Sequence, residues 1–434
     1  MTSPGAGAVP EGGPPSQHRP VGSPGDPTSN AARALGLHPT VLLLAGTHFI
    51  VDGYSNIYAP LLPLLIPRLQ MSLFAAGTLQ MCFQIANSVA QLGFGHIADH
   101  WRPRVLLIAG PLVAVSILAL IGLPSTPFML GVVLVLGGLG AAAFHPPAAA
   151  LVHHVSTERK GFAMSFHITG GSLGFSLGPL VFAPFAERFG LEWTPLLIVP
   201  ALAVLGAVLP RLPPVEHPAD RGDGRGFRAL RPYRKPLTLL YLIVVLRTLT
   251  ALSFATFMPV MLTRRGMSVA EAGTAMAIYL FASSVGGFFG GAVADRWGPR
   301  NVIMWSLVLA IPFLAYAPMQ TGWTFVAIVS VGGFLLQSTL PVNVSFGQMI
   351  APISAATVSS LMMGFAWGMG GLSVPFVGML ADRIGIERTL VAMSVIPLAA
   401  AACAAPLPAG KFGHTPARAS DAGHAETSGT DVAE

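Results

Sequence analysis

The chain has 434 residues, of which 53% are hydrophobic and only 10% charged, and its mean hydropathy is +0.66. A soluble domain carries about 25% charged residues, so the composition excludes a water-soluble globular protein and points to a bilayer. The pI near 9.7 would suit nucleic acid, but the basic residues are placed for a membrane, as shown below, and nucleic acid is excluded as a partner.

Residues 1–37 are rich in Pro, Gly and Ser and lack a basic-then-apolar start, which predicts a disordered tail and not a cleaved signal peptide. Apolar segments long enough to cross a bilayer core, about 17–25 residues, then recur near 40–66, 74–97, 104–122, 128–152, 161–184 and 194–210. Residues 211–236 are too polar to span and read as a basic linker on the membrane surface. Six further spans follow near 237–262, 270–294, 301–318, 323–349, 356–380 and 388–408, and residues 409–434 form a second disordered tail. The prediction is an all-α membrane protein of twelve transmembrane helices in two six-helix halves, 38–210 and 237–408. Cys82 and Cys403 both lie in apolar runs, which suits buried thiols.

Several spans carry polar groups that lipid does not tolerate. The first holds His48 and Asp52, four apart and so one turn apart on one helix face. A charge at mid-membrane costs about 2.5–3.5 kcal/mol on insertion scales, and such residues mark proton or substrate paths. A carboxyl that takes a proton on one side and releases it on the other accounts for Asp52, with His48 as relay or orienting partner. The alternative is a carboxylate merely bonded between helices. The second span repeats Gln84, Asn87 and Gln91 on one face, as Asn343 and Gln348 nearly do in the tenth; such stripes line a water-filled path or join helices.

In the fourth span His145 stands before Pro146 and Pro147, which predict a kink there. His145 is then either a cavity-lining ligand or proton group, or a structural cap on the freed carbonyls. His167 reads as structural, and His153 and His154 as solvated surface. Arg247 lies about ten residues into the seventh span, deep for snorkelling, and its paired donors suit a phosphonate or carboxylate.

The halves repeat each other. The decamers "GHIADHWRPR" (95–104) and "GAVADRWGPR" (291–300) lie 196 residues apart and agree at six of ten positions, and the same offset pairs Gly174 with Gly370 and Pro179 with Pro375. Duplicated six-span units are the mark of a secondary transporter with its binding site near the midplane between the halves. By that symmetry His48/Asp52 and Arg247 are expected to face one another across a cavity. With the N-terminus inside, 17 Lys and Arg fall in inside segments and 6 outside, which places both tails and the linker in the cytoplasm. Asp99 and Asp295 sit at helix ends beside arginines and are expected to act as gates.

The decamers resemble the signature G-x-x-x-D-[RK]-x-G-[RK]-[RK] of the major facilitator superfamily. The second copy fits through Gly291, Asp295, Arg296, Gly298 and Arg300; the first keeps Asp99 and Arg104 but has His100 and Arg102 where a basic residue and glycine are usual. "THFIVDGYSNIYAPLLPLL", "GLGAAAFHPPAAALV", "HITGGSLGFSLGP" and "MMGFAWGMGGLSVPFVGMLADRIG" resemble the fosmidomycin-resistance branch, in which a first-helix His-x-x-x-Asp and a fourth-helix Phe-His-Pro recur. The resemblance implies the fold of that superfamily and a proton-driven exporter of small molecules in the inner membrane, with the anionic phosphonate fosmidomycin as namesake cargo. It implies no enzyme, cofactor or metal, and a monomer. The expected roles are proton coupling for Asp52, His48 and His145; substrate binding for Arg247, His145, Gln84, Asn87, Asn343 and Gln348; and gating for Asp99, Arg104, Asp295, Arg296 and Arg300. Competing readings are an uptake symporter for an anion or metabolite, a receptor that senses without transporting, and an intramembrane metal site of His48, Asp52, His145 and His167. No H-E-x-x-H spacing supports the metal site, and it leaves the duplication without a role.

Overall fold

The computed structural model describes residues 31, 32, 34–100, 103–156, 159–213, 226–352 and 355–409. Most of the expected tails and linker lies outside these. Residues 31, 32, 34 and 35 are helical, Leu37 is buried, and Arg159 Nη1 donates to the Leu35 carbonyl over 3.1 Å.

The described chain is helical along its spans. α1 runs Pro39–Leu69, α3 Pro103–Gly122, α4 Pro127–Val155, α5 Lys160–Phe189 and α6 Leu191–Arg211. In the second half α7 is Leu230–Arg264, α8 Val269–Trp297, α9 Pro299–Met319, α10 Gly322–Ile350, α11 Thr357–Ile384 and α12 Ile386–Ala404. These are the 11 described helices long and apolar enough to cross a membrane. The twelfth span, α2, is two shorter helices, Leu73–Ser88 and Ala90–His100, separated by a turn at Val89, where the sequence pattern predicts one continuous helix.

Local chemistry sets the ends. Ser72 and Ser268, 196 residues apart, cap α2 and α8 by accepting from the N–H groups of Ala75 and Glu271. Gly298, the glycine of the second decamer, takes φ +82° and turns the chain from α8 into α9. α1 bends at Asn56–Ile57, one turn after Asp52, where Pro60 removes a helical donor. α4, by contrast, runs unbroken through Pro146 and Pro147. The two prolines do not end the helix; they withdraw the donors for the Ala142 and Ala143 carbonyls, the local cause of the expected kink.

Packing follows the duplication. α1 packs on α5 and α3 on α4; correspondingly α7 packs on α11 and α9 on α10. The halves meet through α2 with α11 and α5 with α8, again a symmetric pair. A Cβ at Gly77 of α2 would lie 2.6 Å from the Val374 carbonyl oxygen and 3.0 Å from Pro375 Cα, and one at Gly273 of α8 would lie 2.9 Å from the Pro179 carbonyl oxygen. Gly77 and Gly273, like Pro179 and Pro375, are separated by 196 residues, so one glycine–proline contact is used twice. The outward faces are apolar, with Phe128 at 80% exposure and Phe288 at 77%, as a lipid-facing perimeter requires. Below, the "tail end" of the bundle holds Pro39 and the α2–α3 connection, and the "far end" holds the α1–α2 and α7–α8 connections.

Candidate functional site

The polar residues of the first half converge between α1, α4 and α5. His48 Nε2 lies 3.1 Å from Asp52 Oδ2, and His145 Nε2 lies 3.6 Å from Asp52 Oδ1. His48 Nδ1 lies 3.0 Å from the carbonyl oxygen of His167, and the rings of His48 and His167 are 4.4 Å apart. Phe144 closes on His48 edge-on at 5.8 Å. Helical spacing brings His48 and Asp52 together, and the close approach of α5 seals them from one side. Gly171 makes that approach possible, because a Cβ there would fall 2.6 Å from Asp52 Oδ2. The Asp52 side chain keeps 21% exposure.

This geometry counts protons. A carbonyl only accepts, so Nδ1–H of His48 is committed to His167. A hydrogen bond between Nε2 and the Asp52 carboxylate then needs a second proton, on Nε2 or on Oδ2. His145 Nε2, at 3.6 Å, lies beyond hydrogen-bond reach of the carboxylate.

His167, read from sequence as structural, belongs to this cluster. Its Nδ1 is buried without a hydrogen-bond partner among the described residues. No local pattern signals this, since it reaches His48 from 119 residues away. His48, Asp52 and His145 also offer three ligand atoms within 4.8 Å of one another, one short of the four that a structural zinc site takes.

The second half presents a different site. Arg247 is fully buried, which excludes snorkelling. Its Nη2 donates to Thr248 Oγ1 over 3.1 Å and the guanidinium sits 5.5 Å above the Trp367 ring, while Nε and Nη1 have no partner among the described residues. No carboxylate among the described residues lies within 4.0 Å of it. Arg247 and Asp52, expected to face one another, are not paired. Asn343 on α10 is likewise fully buried, with both side-chain polar atoms unpartnered among the described residues. A buried cation and amide without partners are expensive in an apolar interior; an anionic ligand would satisfy the donors of Arg247 and of an amide nitrogen, whereas Asn343 Oδ1 needs a donor.

The remaining expected residues are scattered. Gln84 donates to Ser88 Oγ over 3.0 Å and Gln348 to Ser359 Oγ over 2.7 Å; Asn87 Oδ1 is buried and unpartnered. The side chain of Asp99 lies outside the described residues. Arg104, Asp295 and Arg296 are exposed, with no ion pair among the described residues, and Arg300 Nε is buried without a partner.

The profile of the Major Facilitator Superfamily matches residues 44–346. The Fosmidomycin resistance protein of Escherichia coli (strain K12) is 27% identical over 394 residues, covering 88% of this chain and 95% of that protein. An uncharacterized MFS-type transporter, YfnC of Bacillus subtilis (strain 168), is 25% identical over 83% of this chain and 91% of its own. Among solved structures, a bacterial homolog of the human lysosomal transporter Spinster, inward-facing and unoccupied, superposes with a TM-score of 0.71 at 17% identity, covering 84% of this chain and 95% of that one.

Proposed function

The chain belongs to the major facilitator superfamily, and we propose that it is a proton-coupled exporter of a small anionic compound. The observation that carries this reading is the His48–Asp52 pair, in which one imidazole faces two acceptors at once, a carbonyl and a carboxylate, and so offers a place to hold an extra proton. The partial exposure of Asp52 lets that proton exchange with water, and a carboxylate placed in a span is otherwise costly. Arg247, with two unpartnered donors beside Trp367, takes the anion.

In this cycle the proton site and the anion site lie in opposite halves, and alternating access presents each to one side of the membrane and then to the other. Protonation of the Asp52 cluster biases which side is open, and the anion at Arg247 is carried in exchange. Export and the choice of fosmidomycin as the first cargo to assay rest on the resemblance of the first, fourth, fifth and eleventh spans and on the name of the Escherichia coli relative. The 17-to-6 distribution of Lys and Arg supports cytoplasmic termini in an inner membrane.

The deciding experiment uses purified full-length protein in proteoliposomes, radiolabelled fosmidomycin, and a pH gradient imposed in each direction. The wild type accumulates label against its gradient when the lumen is acidic. Asp52→Asn loses gradient-driven accumulation and retains counterflow. Should Asp52→Asn still concentrate the label, Asp52 is not the coupling group; accumulation only with an acidic exterior makes the protein an uptake symporter.

A further inference from the structure

Two carboxylates placed alike join the halves at the far end. Asp382, in the last turn of α11, accepts from the backbone N–H of Leu73 through Oδ1 (3.0 Å) and of Phe74 through Oδ2 (2.9 Å). Glu187, in the last turn of α5, accepts from the N–H of Val269 through Oε1 and of Ala270 through Oε2, both 2.9 Å. The four donors open α2 and α8, and Leu73 and Val269 are 196 residues apart. The acids also correspond, in "AERFG" (186–190) and "ADRIG" (381–385). Each acid belongs to one half and caps a helix of the other.

The chemistry of a helix start explains why these contacts are specific. The first N–H groups of a helix have no partner within it, and they carry the positive end of its dipole. Ser72 and Ser268 each satisfy one such group from within their own half. The serine takes the third, and the opposing carboxylate takes the first two in a two-point, charge-assisted contact. Opening the far end separates α2 from α11 and α8 from α5, so both contacts break together with the glycine–proline packing beside them. The sites are exposed, so water replaces the lost acceptor and the closure remains reversible.

We propose that Asp382 and Glu187 are paired latches that hold the far end of the transporter closed and set the balance between its two access states. They are positioning residues, remote from the Asp52 cluster and from Arg247. The proposal rests on the alternating-access family alone; it is independent of the cargo, the coupling ion and the direction of transport.

The test is pulsed electron–electron spectroscopy on the full chain in nanodiscs, with Cys82 and Cys403 changed to Ala and nitroxides on Ser125→Cys and Thr321→Cys. Both positions are exposed in equivalent far-end connections, α3–α4 and α9–α10. The parent is expected to show mainly the short distance. Asp382→Asn and Glu187→Gln are each expected to raise the open-to-closed ratio roughly 3- to 30-fold, the effect of losing one helix cap. The double variant shifts it further, and Asp382→Glu restores the closed population. Val269→Pro is the independent arm. It deletes one receiving N–H without ending the helix, because proline is accepted at a first helical position and Ser268 before it is already extended; the same opening is expected. An unchanged distance distribution in the double variant and in Val269→Pro overturns the proposal, even where thermal stability falls. Should the acid variants fail to fold, Val269→Pro decides alone.

Discussion

Asp52 and Arg247, the intramembrane charges of α1 and α7, do not meet: Asp52 is held by His48 and His145, and Arg247 by Thr248 and the face of Trp367. Direct competition between proton and anion needs the two charges within about 4–6 Å. No ion pair within 4.0 Å joins Asp52 to Arg247, and on the proposed reading a proton on Asp52 acts on the anion site by shifting which access state the halves adopt. A direct pair would give a coupling of about 0.5–3 kcal/mol in a double-mutant cycle, whereas separate sites add within about 0.3–0.5 kcal/mol. Fosmidomycin affinities of the wild type, Asp52→Asn, Arg247→Ala and the double variant, measured by calorimetry in detergent at one pH, are expected to be additive. A large coupling energy would restore the direct-charge mechanism.

Topology follows from the Lys and Arg count. Reporter fusions after Arg68, at the far end, and within residues 214–225, in the linker, are expected to lie on opposite sides of the membrane, the linker in the cytoplasm. Finding both on one side contradicts the odd number of spans, α2 to α6, that separates the α1–α2 connection from the linker.

How much of this was legible from residue order depends on range. Apolar length located every span, and helical spacing paired His48 with Asp52, because both are local properties of the chain. The turn at Val89 was not visible, since nothing in the residues around it departs from a helical pattern. His145 and His167 reach His48 from other helices, and only the packing of α4 and α5 on α1 brings them there. The far-end acids were overlooked because a carboxylate near an exposed helix end reads as surface. The signal was present all the same: "AERFG" and "ADRIG" repeat at corresponding places of the duplication, and a polar pair repeated in both halves has a reason to exist in both.

Gly171 offers a test of the proton site that leaves every titrating group in place. Its missing Cβ makes room for Asp52 Oδ2 and for the His48 ring. Gly171→Ala forces α5 away from α1 or turns Asp52 from His48, and overpacking of this kind costs about 1–3 kcal/mol. The variant is expected to melt at lower temperature and to lose pH-driven fosmidomycin accumulation, whereas Gly161→Ala, on the same helix where a Cβ meets open space, does neither. Equal effects at both positions would mean that helix stability, not the geometry around Asp52, is being read.

Arg247 makes the final prediction, and its sign separates a ligand site from a structural one. A structural arginine is paired, and its removal leaves partners unsatisfied and destabilises the fold. Arg247 has two nitrogens with no partner and no nearby carboxylate among the described residues, so without ligand the Thr248 hydrogen bond and the Trp367 face offset only part of its desolvation cost. Arg247→Met, close in length and apolar, removes that cost; replacing buried charge by apolar groups gains on the order of 1–4 kcal/mol where it has been measured. Without ligand, Arg247→Met is therefore expected to melt at higher temperature than the wild type in scanning fluorimetry. With fosmidomycin the order reverses, because ligand that binds the folded state raises the wild-type midpoint and leaves the variant unmoved. Arg247→Lys keeps the charge but loses the paired donors, so it shows neither the gain without ligand nor the full ligand shift. A lower melting temperature for Arg247→Met without ligand would show that Arg247 is held by the fold for structural reasons, and the anion would have to bind elsewhere.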